Sequence, residues 1–191
     1  MSREAILEAA AKVFRQKGYN GSSMSDIAEA VGLQKGSLYH HFSGKQEILL
    51  KLLDKGLALV TSRMAMVMEK DIPADEKLRY AMREYLLTLS EQGDIVSVLL
   101  LEHRSLNQVY QNRHIPSRDR FESLWRELIE GGVDEGTFFV DDVALTVRGI
   151  MGVMNWTITW YQPGGRLSII KIADQFTDLF LNGIQTHKGG Q

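Results

Sequence analysis

Helical periodicity runs through most of the chain, and strictly alternating apolar and polar runs are almost absent. Near the amino end, Ile6, Leu7, Ala10, Val13 and Phe14 repeat at i, i+3, i+4, i+7 spacing, and Gly18 is placed to cap the helix they predict. In NGSSMSDIAEAVG, Ser23 is a natural N-cap, and Asp26 follows where a carboxylate favours the positive helix end. Ile27, Ala28 and Val31 then face inward until Gly32 turns the chain, and a third short helix is predicted over Lys35–His41. Gly44, a tolerated N-cap, opens a longer helix near Lys45–Glu69, and Pro73 starts another that runs to about Glu91. Asp94–Leu106 and Asn107–Ile129 read as helices, with Pro116 as a break or kink in the second. GGVDEGTFFVDD reads as a turn-rich link ending at a capping Asp141 or Asp142. An apolar helix to Trp160, the loop YQPGGRL and a last helix over about Ser168–Ile184 complete the pattern, and the tail THKGGQ is expected to fray. The expectation is an all-α fold of about nine helices.

Within GLQKGSLYHHF, the part from Lys35 onward holds only two large aliphatic or phenyl side chains, Leu38 and Phe42, one helical turn apart. At about 100° per residue these two share a face, with Lys35 near its edge. Gly36, Ser37 and His40 fall opposite, flanked by Tyr39 and His41. Such a helix anchors through two apolar pegs and presents small and polar groups outward. Three short helices with a tight glycine-bearing turn before the third are the pattern of a helix-turn-helix. On that reading Gly36 lets DNA approach the backbone and Ser37 can donate to a phosphate or base edge. Lys35 can reach a purine acceptor in the major groove, while Tyr39 and Lys45 suit phosphate contacts.

Charge modifies this picture only slightly. The net charge of -2 does not advertise a nucleic-acid binder, although residues 1–47 carry six Lys and Arg against five acids. Hydrophobic content of 44% is ample for a core. The absence of cysteine removes disulfides, thiolate catalysis and zinc–thiolate sites. The start, MSREAILEAA, lacks the apolar block of a secretory signal, and no run approaches the roughly 20 apolar residues of a membrane span. A cytoplasmic protein without membrane contact is expected. The pair His40–His41 is a poor metal site, since adjacent helical residues point about 100° apart, and no metal or cofactor is expected.

The segment ILEAAAKVFRQKGYNGSSMSDIAEAVGLQKGSLYHHFSGKQEIL, taken whole, closely resembles the DNA-binding domain of the TetR family of bacterial transcription regulators. The matching blocks are AA-x-x-F-x-x-x-G-Y, S-x-x-DIA-x-x-VG and KGSLYHHF-x-x-K-x-x-IL. The resemblance implies that Lys35, Gly36, Ser37, His40 and His41 line the recognition helix, and that Ser23, Ser25, Tyr39 and Lys45 hold phosphates. The chain departs from the family in lacking a basic N-terminal arm and in carrying Gly44 where Ser or Asn is commoner. It further implies a helix-turn-helix domain over residues 1–47 and a C-terminal effector-binding and dimerisation domain over residues 48–191.

In the C-terminal part, Gly149 and Gly152 form a small-residue patch on the helix after Asp142, and Ile169, Ile172, Phe176, Leu179 and Phe180 recur at helical spacing in the last helix. Two such helices packing on their symmetry mates would make an intermolecular four-helix bundle, the dimerisation mode the family resemblance implies; an internal core would show the same pattern. The resemblance places a small-molecule pocket among the middle helices. Tyr85, Trp125, Met151, Asn155, Trp156 and Trp160 are its candidates, with Glu102, His103 and Arg104 as polar anchors. Aromatics and methionines at this spacing also serve as plain core. Asn155 stands out, because an amide in so apolar a helix needs a partner if buried. WYQPGGRL and EGTFFVDD resemble a TetR subgroup that responds to acyl-CoA thioesters; its ligands need an apolar tunnel and basic groups, for which Arg79, Arg83, Arg104, Arg148 and Arg166 are available.

Catalytic patterns are missing: there is no Glu-x-x-His, G-x-S-x-G, Walker loop or H-E-x-x-H. No enzyme is expected. A rival reading, an all-helical adaptor that docks a protein, requires an apolar outward face on the third helix. The expected function is a homodimeric, sequence-specific regulator, a ligand-responsive repressor of a palindromic operator.

Overall fold

The computed structural model describes residues 1–184; the tail THKGGQ lies outside the described residues. Nine α-helices form among the described residues: α1 Arg3–Lys17, α2 Met24–Ala30, α3 Lys35–Tyr39, α4 Lys45–Met68, α5 Ala74–Glu91, α6 Gly93–Glu102, α7 Gln108–Asp134, α8 Val143–Trp160 and α9 Ile169–Ile184. A single 3-10 turn, His103–Ser105, follows α6. The helices pack as two compact units, Met1–Leu59 with Gln92–Arg118, and Val60–Glu91 with the described residues from Asp119 onward. The division falls inside α4 and inside α7. The unit that holds the first three helices therefore extends past residue 47 and includes the start of α4 and all of α6.

In the first unit, Ser2 caps α1 by accepting the Ala5 N–H at 3.2 Å, and Ile6, Leu7, Ala10, Ala11, Val13 and Phe14 are buried. Ser23 and Asp26 close a reciprocal capping box on α2. The turn into α3 is fixed by Gly32 at φ 66°. Its N–H bonds Glu29 O at 3.1 Å while the Leu33 N–H bonds Ala28 O at 2.9 Å. This is a Schellman closure, in which a left-handed residue satisfies the last carbonyls of the helix. α6 packs across α1, supported by Arg15–Asp94 at 2.7 Å. Gly56 lets α6 approach α4: a methyl there would lie 3.1 Å from Leu99 Cβ.

In the second unit, α5 lies against α9 and α8. Arg79 and Arg83 of α5 pair with Asp178 and Asp174 of α9 at 2.6 and 2.5 Å. At Pro116, expected as a break or kink, the helix does not break, and one boundary, the end of α7, differs from expectation. Pro116 sits inside α7 without ending it; one lost backbone bond is outweighed by the buried Phe121, Trp125, Leu128 and Ile129 that follow. The helix also continues through Gly131 and Gly132 to Asp134. It stops at Gly136, φ 71°, whose N–H bonds Val133 O while the Thr137 N–H bonds Gly132 O. Phe138 folds back over Gly132, where a methyl would lie 2.1 Å from its ring. Asp142 caps α8 at 2.9 Å. Among the described residues, no helix is long and apolar enough to cross a membrane.

Candidate nucleic-acid interface

α3 divides into two faces. Leu38 is 0% and Phe42 1% exposed, whereas Lys35, Gly36, Tyr39 and His40 lie at the surface and Ser37 and His41 are half-buried. Backbone bonds from His41 and Phe42 to Leu38 O extend the turn past Tyr39, which keeps Phe42 on the buried side. Among the described residues, the side chains of Lys35, Ser37, Tyr39, His40 and His41 make no hydrogen bond or ion pair. A surface of free donors and acceptors on a rigid short rod is what base-edge readout needs.

The expected phosphate ligands divide differently. The Ser25 hydroxyl is exposed and without a partner among the described residues. The Ser23 hydroxyl is committed: it donates to Asp26 Oδ2 at 2.5 Å and accepts the Asp26 N–H at 3.2 Å. Asp26 also takes Lys17 Nζ at 2.5 Å. The bond from Lys17, together with those from Ser23, holds the Asp26 carboxyl far below the usual carboxylate range.

Lys45 is not a free arm. Its ammonium donates to Tyr19 O and Ser22 O, both at 2.6 Å, and lies 4.2 Å from the centre of the Tyr19 ring. Burial pulls its pKa below the usual lysine value. Lys45 thus staples the turn between α1 and α2 to the start of α4. Gln46 joins it, donating to Tyr19 Oη at 2.8 Å and to Ser105 O at 2.9 Å. The Glu102 carboxylate accepts the Tyr19 N–H at 3.0 Å and the Ser105 hydroxyl at 3.1 Å. Sequence spacing carries no signal for this clasp, because its directly bonded residues lie up to 83 positions apart.

The residues proposed for an effector pocket are therefore distributed over both units. Glu102 and His103 belong to the first, where Glu102 serves the Tyr19 turn and His103 is exposed, with Nδ1 3.2 Å from Leu100 O. In the second unit, Tyr85, Phe121 and Trp125 form a buried aromatic cluster with ring centres 6.0–6.4 Å apart. Tyr85 donates to Asn155 Oδ1 at 2.5 Å, which supplies the partner the amide needs. Burial pushes the Tyr85 phenol well above its usual pKa, so it remains a donor. The Trp125 indole N–H is buried with no acceptor among the described residues. Phe121, at 3% exposure, was not singled out by the sequence.

Met151 is half-buried, while Trp156 is 66% exposed on the outer face of α8, in line with Leu145, Gly149 and Gly152. Trp160 packs edge-on against Phe176 at 6.4 Å. Of the residues expected at a dimer seam, Ile169 and Ile172 are buried within the protomer. Phe176 and Phe180 are half-buried, and Leu179 is 69% exposed. Arg79 and Arg83 are held by Asp174 and Asp178. Arg104, Arg148 and Arg166 are exposed and unpaired among the described residues.

Residues 6–52 match the family description "Bacterial regulatory proteins, tetR family", and residues 71–184 match "Tetracyclin repressor-like, C-terminal domain". The chain is 28% identical over 189 residues to the transcriptional repressor KstR2 of Mycolicibacterium smegmatis, covering 98% of this chain and 92% of that protein. The crystal structure of the TetR-family regulator PfmR from Thermus thermophilus is similar at 34% identity and TM-score 0.86, covering 93% of this chain and 97% of that one. AibR, solved in complex with isovaleryl coenzyme A and operator DNA, is similar at 27% identity and TM-score 0.86, with 93% and 96% covered. The chain belongs to the TetR family of bacterial regulatory proteins and is a DNA-binding transcription regulator, not an enzyme.

Proposed function

We propose that the protein is a homodimeric repressor of a palindromic operator, released when an acyl-CoA thioester binds the C-terminal unit. The observation that carries the DNA-binding part is the division of α3, with Leu38 and Phe42 buried beneath an unpaired polar face. Lys35, Gly36, Ser37, His40 and His41 are assigned to bases, and Ser25 and Tyr39 to phosphates. Ser23 and Lys45 would reach phosphates only by sharing or exchanging the bonds they hold in the free protein.

Dimerisation is supported by the exposed stripe of Leu145, Gly149, Gly152 and Trp156 on α8 and by Leu179 on α9. A methyl at Gly149 or Gly152 would meet nothing within 4 Å, so another helix can approach closely there. A contiguous exposed apolar stripe of this kind marks an interaction surface, and a second copy places two α3 helices on two half-sites.

The effector reading is supported by the Tyr85–Phe121–Trp125 cluster and its unsatisfied indole donor. Leaving such a donor unpaired costs about 1–3 kcal/mol, which a ligand carbonyl relieves. It is supported also by the similarity to AibR, whose structure contains isovaleryl coenzyme A. Coupling follows if ligand binds one conformation better than the other.

The test is selection of bound fragments from a random DNA pool, then challenge of the complex with acyl-CoAs of graded chain length. A palindromic enriched sequence, a complex of two chains, and saturable release by one range of acyl chains are expected. No enrichment, or a complex indifferent to every acyl-CoA, contradicts the reading.

A further inference from the structure

The loop between α8 and α9 forms a cleft apart from the Tyr85–Phe121–Trp125 cluster, and its lining gathers Trp160 and Arg166, which the sequence offers as effector contacts. Trp160, Tyr161, Gln162, Arg166, Leu167 and Ile172 line a volume of about 250 Å³. The loop is held by a β-turn in which the Gly165 N–H bonds Gln162 O at 3.0 Å. Pro163 occupies the position where a fixed φ is favoured, and Gly164, at φ 79°, occupies the position that requires a left-handed residue. A methyl at Gly165 would lie 3.0 Å from Gln162 O, so the turn is close-packed. The Trp160 ring is fixed edge-on against Phe176, and the Tyr161 hydroxyl lies 3.5 Å from Ser90 Oγ.

The chemistry of this lining is one-sided. It offers an indole, a phenol and two aliphatic side chains, one amide and one guanidinium, and no carboxylate. Arg166 has no ion-pair partner among the described residues, unlike Arg79 and Arg83, which are neutralised by aspartates. Aromatic walls accept a flat ring, and a free guanidinium binds phosphate or carboxylate by paired hydrogen bonds. Pockets for whole drug-sized ligands span about 300–1,000 Å³. A cleft of about 250 Å³ suits one ring system and its charged group, with the rest of the ligand continuing outside.

We propose that this cleft binds the phosphorylated adenosine end of the effector, with the base against Trp160 and Tyr161 and a phosphate on Arg166. The proposal rests on the acyl-CoA reading above and assigns the nucleotide end to a place separate from the Tyr85–Trp125 cluster. A free aromatic acid offers the same combination of ring and anion, and the test distinguishes the two.

Adenosine 3′,5′-bisphosphate, adenosine, inorganic phosphate and benzoate are titrated calorimetrically into the full chain. The bisphosphate binds saturably and more tightly than adenosine, phosphate or benzoate. Arg166→Gln weakens it about tenfold or more, the scale of losing one charge-assisted contact, and Trp160→Leu weakens it about tenfold through lost stacking, whereas a change at the exposed Arg120, Arg120→Gln, does not. Arg166 is exposed, so Arg166→Gln keeps the wild-type melting profile. Absence of saturable binding, equal affinity in Arg166→Gln, or an Arg166-dependent site that prefers benzoate overturns the assignment. Operator release separates the two readings. If acyl-CoAs release DNA equally from wild type and Arg166→Gln, the cleft assignment fails and the effector reading survives. If the bisphosphate binds through Arg166 but no acyl-CoA releases DNA, the effector reading fails and the nucleotide cleft stands.

Discussion

The Glu102 carboxylate, at the last residue of α6, accepts the backbone N–H of Tyr19 at 3.0 Å. The turn that leads into α2 is thereby tied to an element far along the chain. Lys45 and Gln46 hold the same turn from the other side. The orientation of α2 and α3 thus depends on three polar side chains whose bonds are directional. Glu102→Ala removes an acceptor from a part-buried N–H and is expected to cost about 1–3 kcal/mol in urea unfolding. Glu102→Gln keeps a carbonyl acceptor and most of that stability. Equal losses in the two variants would show that the hydrogen bond to Tyr19 is not the cause.

Lys45→Met keeps much of the aliphatic stem and removes the ammonium that bridges Tyr19 O and Ser22 O. Both stability and operator affinity are expected to fall. A phosphate contact alone would instead leave stability unchanged and reduce the salt slope by about one per half-site. Denaturant titration beside a salt series of binding curves distinguishes these outcomes.

Acid sensitivity follows from the capping box of α2. The folded state holds Asp26 below its ordinary value of 3.8, first through Lys17 and then through Ser23. A carboxylate depressed on folding stabilises above its unfolded pKa, and the contribution is lost as pH falls through and below that value. Wild type is therefore expected to exceed Asp26→Asn in urea midpoint at pH 7, with the gap narrowing below about pH 4. A gap that stays constant down to pH 3 would remove the charge from the explanation.

Gly132 and Phe138 give a packing prediction. Alanine is ordinarily the better helix former, yet a methyl at Gly132 would lie 2.1 Å from the Phe138 ring. Gly132→Ala is expected to destabilise by about 1–3 kcal/mol through overpacking. The same change costs less in a Phe138→Ala background, so a double-mutant cycle is non-additive. Additivity would mean that the ring moves aside freely.

The outcome for each element follows from the range of the interaction that shapes it. Leu38 and Phe42 were legible because one turn of helix separates them, and the caps at Ser23 and Asp142 because capping is local. Gly131–Gly132 read as a link because glycine is a poor helix former. Phe138, folding back over the backbone, outweighs that preference. Pro116 read as a break or a kink for the same local reason, and the buried residues after it carry the helix onward. The polar site was least legible. Lys45 looked like a surface cation, and only the folded turn shows that two carbonyls hold it. The apolar surroundings of Asn155 demand a partner, but its identity, Tyr85, 70 residues away, is supplied by the packing of α5 against α8.

The central claim is that the polar face of α3 reads base edges. The most direct measurement compares binding of wild type, Lys35→Ala and His40→Ala to the selected operator and to a shuffled duplex at one fixed salt concentration. Wild type prefers the operator, and the variants lose much of that preference, by about 1–3 kcal/mol for a base contact, while keeping the wild-type fold and weak binding to shuffled DNA. Wild type binding both duplexes equally, or both variants retaining full discrimination, would contradict the account.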